Sequence, residues 1–212
     1  GGFHVGIHFR RSRESAEKVL TDINGDGFLL QADLEKPEQI DIMVQDIKTA
    51  AGRVDVLVNN AGMAVNEAMS TMKIETFDSQ RGVLRGVWYL TKRILRMFML
   101  RRSAGKIINI SSVVGHTGNA GQIPYTMEKA AVDAMTKSLA KELGGRNILV
   151  NSVAPGFIDT EMTASLPDAF QAGILANVPL GRMGRPEEVA EVVTFLARRG
   201  IYINGSVIHV NG

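Results

Sequence analysis

Tyr125 and Lys129 stand four positions apart in "PYTMEKAAVDAMTKSLAKEL" (124–143), a stretch with a helical pattern. Side chains at i and i+4 share one helix face, so a phenol and an ammonium are held together at the start of a helix. A free phenol has a pKa of about 10. A neighbouring ammonium favours the phenolate and makes the phenol an acid–base group near neutral pH. Ser112 follows the apolar run "KIINI" and precedes Tyr125 by thirteen positions. At that spacing a strand end faces a helix start across a cleft, where a serine hydroxyl polarises a carbonyl by hydrogen bonding. The three groups suit reversible proton transfer at a carbonyl oxygen, with hydride supplied by a cofactor.

The elements that must position these groups are legible as alternating short apolar runs and longer helical segments. Strands are expected at "FHVGIHF" (3–9), "GFLLQA" (27–32), "VDVLVN" (54–59), "KIINI" (106–110), "ILVNSV" (148–153) and "SVIHV" (206–210). Between them, "PEQIDIMVQDIKTAA" sets Ile40, Met43, Val44, Ile47 and Ala51 on one helical face, with Pro37 at a first-turn position. Near-continuous apolar strands are buried on both faces, as in a parallel sheet covered by helices. The fold class is therefore α/β, a doubly wound, Rossmann-like parallel sheet. Ligands in such sheets sit at the carboxyl ends of the strands. The loops leaving those ends are "ADLEKP", "NNAG", "SSVVGHTGNAGQ" and "APGFIDTEM", all small, polar or glycine-rich.

With 212 residues, 45% of them apolar and 22% charged, residues 1–212 read as one soluble globular domain. No run approaches the roughly 18 apolar residues of a membrane span, and no secretory leader is visible. A count of zero cysteines excludes disulfides and thiolate metal sites. The net charge of +2 and the scattered basic residues give no nucleic-acid footprint. His4, His8, His116 and His209 have no metal-ligand spacing, so no metal is expected. His4 and His8 read as structural strand residues, whereas His116 and Gln122 lie near the expected cleft and are candidate substrate contacts. Trp88 and Tyr89 read as packing residues, and the methionines as core and lid residues.

"NNAG" after a strand, Ser112 with "YTMEK", and "VAPGFIDTEM" after the next strand resemble the short-chain dehydrogenase/reductases. "SSVVGHTGNAGQ" and "VPLGRMGRPEEVAEVVTFLA" look most like the 3-oxoacyl-[acyl-carrier-protein] reductase branch. The resemblance implies NADPH-dependent reduction of a 3-oxoacyl thioester, in the cytoplasm, with Tyr125 as proton donor. It makes Lys129 the holder of the nicotinamide ribose, and Ser112 the residue that orients the ketone. Asn60, Ala61 and Gly62 would line the adenosine side, and Asp33 and Leu34 the adenine. Pro155, Gly156, Ile158 and Thr160 would meet the nicotinamide end, and 162–177 would form a substrate lid. Arg10, with Arg11, leaves the first visible strand where the family distinguishes its nucleotides, and arginine suits the phosphate of NADP. Arg101, Arg102, Lys106 and Arg146 are a candidate surface for an acidic carrier protein. The resemblance also implies a homotetramer, with Leu95, Phe98, Met135 and Leu139 as candidate interface residues. The alternatives are a reductase of a polyketide, sugar or diketone, and a weakly active member serving as a scaffold subunit.

Three departures from the family pattern stand out. The phosphate-binding T-G-x-x-x-G-I-G is not among these residues, which implies that they are part of a longer protein. Val83 occupies the position of a family asparagine that holds a proton-carrying water, and Gly82 beside it is costly inside a helix. Met127 and Glu128 replace the usual small residues within the Tyr–Lys motif. Glu128 projects about 100° from Lys129 around the helix, and is expected to be a solvated or interface side chain, the alternative being that it competes for the lysine's charge.

Overall fold

A computed structural model describes residues 2–160, 163 and 173–212. These residues group into two compact units.

In the first unit, Gly1–Asp55 with Gly82–Arg102, β1 (Val5–Phe9) pairs in parallel with β2 (Gly27–Gln31), matching Val5 to Gly27 and Phe9 to Gln31. The connection is α1 (Arg13–Asp22), and α2 (Pro37–Ala51) follows β2. Pro37 starts α2 as the sequence predicts, and Gly52 closes it at φ 68, its N–H donating to Lys48 O at 3.1 Å. Ile40, Met43, Val44 and Ile47 are buried along one face of α2. They belong to the core with Val87, Leu90 and Ile94 of α3 (Ile74–Ile94). That helix runs on into a π-helical turn, Leu95–Met99, whose Leu95, Phe98 and Met99 are buried. Leu95 and Phe98 are therefore core residues here and not the free interface residues expected. Trp88, read as packing, is 51% exposed. Gly82, flagged as costly, lies where a Cβ would meet Glu35 Cγ at 3.0 Å. Gly86 is the stricter requirement, because a Cβ there would fall 2.2 Å from the carbonyl oxygen of Leu34.

In the second unit, Val56–Arg81 with Ser103–Gly212, four strands run in parallel in the order of their numbering. They are β3 (Val56–Asn59), β4 (Gly105–Ile110), β5 (Ile148–Pro155) and β6 (Val207–Val210). The helices are α4 (Val114–Thr117) and α5 (Ile123–Leu143), and α6 (Pro186–Arg198). All six expected strands are present. Ile108 and Val153 are buried against Leu196, Val189 and Val193 of α6. Their chain neighbours Asn109 and Ser152 point to the other face, where both bond Thr136 of α5. Helices thus cover both faces of this sheet, which explains why its strands read as unbroken apolar runs. No described helix is long and apolar enough to cross a membrane.

Candidate active site

The second unit gathers the chemistry at the carboxyl ends of its strands, as a parallel sheet requires. Buried polar groups fix the register. Asn59 at the end of β3 donates to Asn109 Oδ1 at 2.8 Å, and Asn109 Nδ2 donates to Thr136 Oγ1 at 2.7 Å. Thr136 in turn lies 2.8 Å from the Ser152 hydroxyl. This chain ties β3, β4 and β5 to the face of α5 that carries Lys129, seven residues before Thr136. Sequence reasoning did not single out these residues, although Asn59, Asn109 and Ser152 interrupt otherwise apolar strands.

Ser112 is 9% exposed just beyond β4; its hydroxyl accepts from Val114 N at 3.4 Å and lies close enough to Tyr125 to pull the phenol's pKa down. Lys129 is 4% exposed; its Nζ donates to Ile110 O at 3.0 Å and stands 5.4 Å over the centre of the Tyr125 ring. The "NNAG" loop closes against the same ammonium, since a Cβ at Gly62 would lie 3.1 Å from Lys129 Nζ. Gly115 is equally tight, 2.9 Å from Ala130 N, and lets the loop after β4 lie on α5. Ser112, Tyr125, Lys129 and Gly62 are therefore brought together. Pro155 and Gly156 continue β5 at the same strand ends, and Asn211 Cα lies 2.8 Å from where a Gly156 side chain would begin. Ile158 is buried and bridges Gly184, while Thr160 is exposed, its N–H donating to Thr163 Oγ1 at 2.9 Å. Most of the lid expected over 162–177 falls outside the described residues.

The electrostatics correct one expectation. Lys129 was expected to lower the Tyr125 pKa, yet burial holds the phenol above its ordinary value; the Ser112 hydrogen bond lowers it and Glu128 raises it further. The ammonium stands 5.4 Å from the centre of the ring and is not among the groups that shift the phenol. Burial likewise pulls Lys129 below its ordinary value, against the opposing pull of Glu128 and Asp133. Glu128 is not solvated: it is 4% exposed, and burial raises its carboxyl.

His116 is exposed, with Nε2 2.8 Å from Asp133 Oδ2 and its ring edge-on to His209 at 4.7 Å. Gln122 donates to Asn66 Oδ1 at 2.6 Å and accepts from Asn119 at 2.8 Å, so it braces two loops. Asp133, a buried acid behind His116, was missed because its position on a helix of mixed polarity carries no pattern. Lys106 is not available for a carrier surface; its Nζ donates to Leu196 O and Ala197 O, each at 3.0 Å, at the end of α6. Among the described residues no His, Cys, Asp or Glu cluster could hold a metal.

In the first unit, Arg10 and Arg11 line two adjoining clefts of about 440 Å³ each. Ser12 and Ser15 complete one; Gln31, Asp33 and Gln39 complete the other. Arg10 bridges Asp33 Oδ2 at 3.0 Å and Glu35 Oε1 at 3.1 Å. These pairs are part-exposed, so each contributes little to stability. Leu34 is buried, so its side chain is not free to frame a ligand. His8 is structural as expected, its Nε2 2.9 Å from Ala32 O, whereas His4 precedes β1 and pairs with Asp26. Arg102 is held by Asp55 at 2.5 Å.

A family model described as Enoyl-(Acyl carrier protein) reductase matches residues 2–212. The chain belongs to the short-chain dehydrogenase/reductase family. It is similar to the 3-oxoacyl-[acyl-carrier-protein] reductase of Haemophilus influenzae, 44% identical over all of this chain and 87% of that protein. The protein of the same name from Staphylococcus aureus is 40% identical over all of this chain and 87% of its own length. That of Thermotoga maritima is 42% identical over 95% of this chain and 83% of its own.

Proposed function

We propose that this protein is a cytoplasmic, NADPH-dependent reductase, a single dinucleotide-binding domain that converts a 3-oxoacyl thioester on acyl carrier protein to the 3-hydroxyacyl product. The observation that carries this reading is the buried Lys129 ammonium, fixed on Ile110 O over the Tyr125 ring, with Ser112 close enough to act on the same phenol. The names of the similar reductases support the substrate.

In this reading the Tyr125 hydroxyl donates its proton to the ketone oxygen, and the Ser112 hydroxyl holds that oxygen in line. Burial keeps the phenol protonated through neutral pH, which suits a donor. Lys129 stabilises negative charge as the phenol gives up its proton, and its Ile110 bond fixes its reach. Bound nicotinamide supplies hydride to the carbonyl carbon. The residues present fit that group. In the second unit Gly62 lies close beside Lys129, where Asn60 and Ala61 contribute backbone; in the first, Arg10, paired with Asp33 and Glu35, and Arg11 are the guanidinium donors proposed for a ribose phosphate. Asp33, Leu34 through its backbone, Pro155, Gly156, Ile158 and Thr160 are the remaining cofactor contacts of the proposal, and His116 and Gln122 the substrate contacts.

The matched model's description favours a second substrate, an enoyl thioester, in which hydride goes to a carbon–carbon double bond. A hydroxyl pair aimed at one oxygen is better suited to the ketone. Oxidation of NADPH should be followed with acetoacetyl and crotonoyl thioesters, and with NADH for comparison. Turnover of acetoacetyl thioester with NADPH is expected; turnover of the crotonoyl thioester alone, or of neither, overturns the reading.

A further inference from the structure

Glu128 lies inside the Tyr–Lys motif and is buried among polar partners. Its Oε1 stands 3.8 Å from Lys129 Nζ. Its Oε2 accepts a 2.5 Å hydrogen bond from Gln80 Nε2, and the same amide donates to Met63 O at 2.6 Å. Gln80 is 1% exposed, so both its amide hydrogens are committed and the carboxylate it holds is aimed at one ammonium. The groups facing Lys129 come from every element packed on it. They are Glu128, Asp133 and the Tyr125 ring on α5, the Ile110 carbonyl on β4, and the Gly62 backbone after β3. Two of these are anions: Glu128 gives the larger pull against the burial of Lys129, and Asp133, which also meets His116, adds to it.

We propose that Glu128, oriented by Gln80, is a positioning residue that keeps Lys129 charged and Tyr125 in its proton-donating form. The proposal rests on reading Tyr125 and Lys129 as the proton-transfer pair. Its physics is that of one charge near two titrating groups. A carboxylate at ion-pair distance stabilises the ammonium and opposes the phenolate, so it holds both protons to higher pH. It takes no part in bond making; it sets which protonation state the pair occupies.

The test is a phenolate titration of the full chain by near-ultraviolet absorbance, needing no nucleotide. Tyr125→Phe assigns the Tyr125 transition against Tyr89 and Tyr202. Glu128→Gln preserves shape and an acceptor for Gln80 but removes the charge. It should move the Tyr125 transition down by about one pH unit, while Glu128→Asp restores most of it. Gln80→Met, which leaves the carboxylate present but unaimed, should give a smaller shift in the same direction, and serves if Glu128→Gln folds poorly. In turnover, the alkaline limb of kcat should move to lower pH with KM unchanged; a purely structural role would lower kcat at every pH and leave the limb in place. An unmoved phenolate transition in both variants overturns the proposal. A moved transition with no turnover in any variant overturns only the reductase reading.

Discussion

Tyr125 and Lys129 are each pushed by burial toward the uncharged form, the phenol upward and the ammonium downward. The phenol's direction fixes a sign for the pH dependence. Ketone reduction needs the protonated phenol, so its rate should stay level through neutral pH and fall only on the alkaline side. A rate that instead declines between pH about 6 and 8 would mean the donor titrates far below an ordinary phenol. Tyr125→Phe removes the donor and leaves packing intact; kcat should drop by about 10²–10⁴ with the melting temperature nearly unchanged. Ser112→Ala should lower kcat by a similar or smaller factor, about 10²–10³, because the substrate oxygen loses one fixed donor. Stopped-flow NADPH oxidation measures both.

At the scale of elements, two devices hold the site together. The Asn59–Asn109–Thr136–Ser152 chain is fully buried and spans three strands and a helix. Asn109→Ala leaves buried donors and acceptors unpaired, and should cost about 1–3 kcal/mol in urea unfolding. Thr136→Val, which keeps the volume, should cost as much, since it strands the Asn109 amide; a neutral result would mean that water replaces the lost partner. The second device caps α6. Glu188 accepts from Arg182 at 2.7 and 2.9 Å and from the Arg185 N–H at 2.7 Å, which lowers its carboxyl to about 2. A lowered carboxyl contributes stability above its unfolded value, and that contribution is lost as pH falls. The melting-temperature gap between wild type and Glu188→Gln should therefore be largest near neutral pH and shrink from pH about 5 toward 2.

For the whole molecule, the homotetramer is a proposal supported by apolar side chains left in the open. Ile123 (39%) and Met127 (53%) on α5 and Trp88 (51%) on α3 are exposed, while Leu95 and Phe98 are not. Light scattering on the eluting protein should give about four times the 23.0 kDa chain mass. Met127→Lys should reduce that mass without lowering the helical signal; a monomeric wild type sinks the assembly and leaves the reductase reading standing.

What the sequence determined by itself was everything that depends on local pattern. Short apolar runs rich in β-branched residues suit strands, and all six appear where the runs are. Ser112, Tyr125 and Lys129 were legible because a strand end and an i, i+4 helix pair fix their own geometry. Tertiary structure alone decided which polar groups lose their water. Glu128 reads as a surface residue from its helical angle, yet Gln80, 48 positions away, closes over it. Lys106 reads as a free cation, yet the end of α6 takes its ammonium 90 positions on. Gly86 carries no signal until the Leu34 carbonyl is found against it. Burial and partner choice are set by residues distant along the chain, and the direction in which each group titrates follows from them.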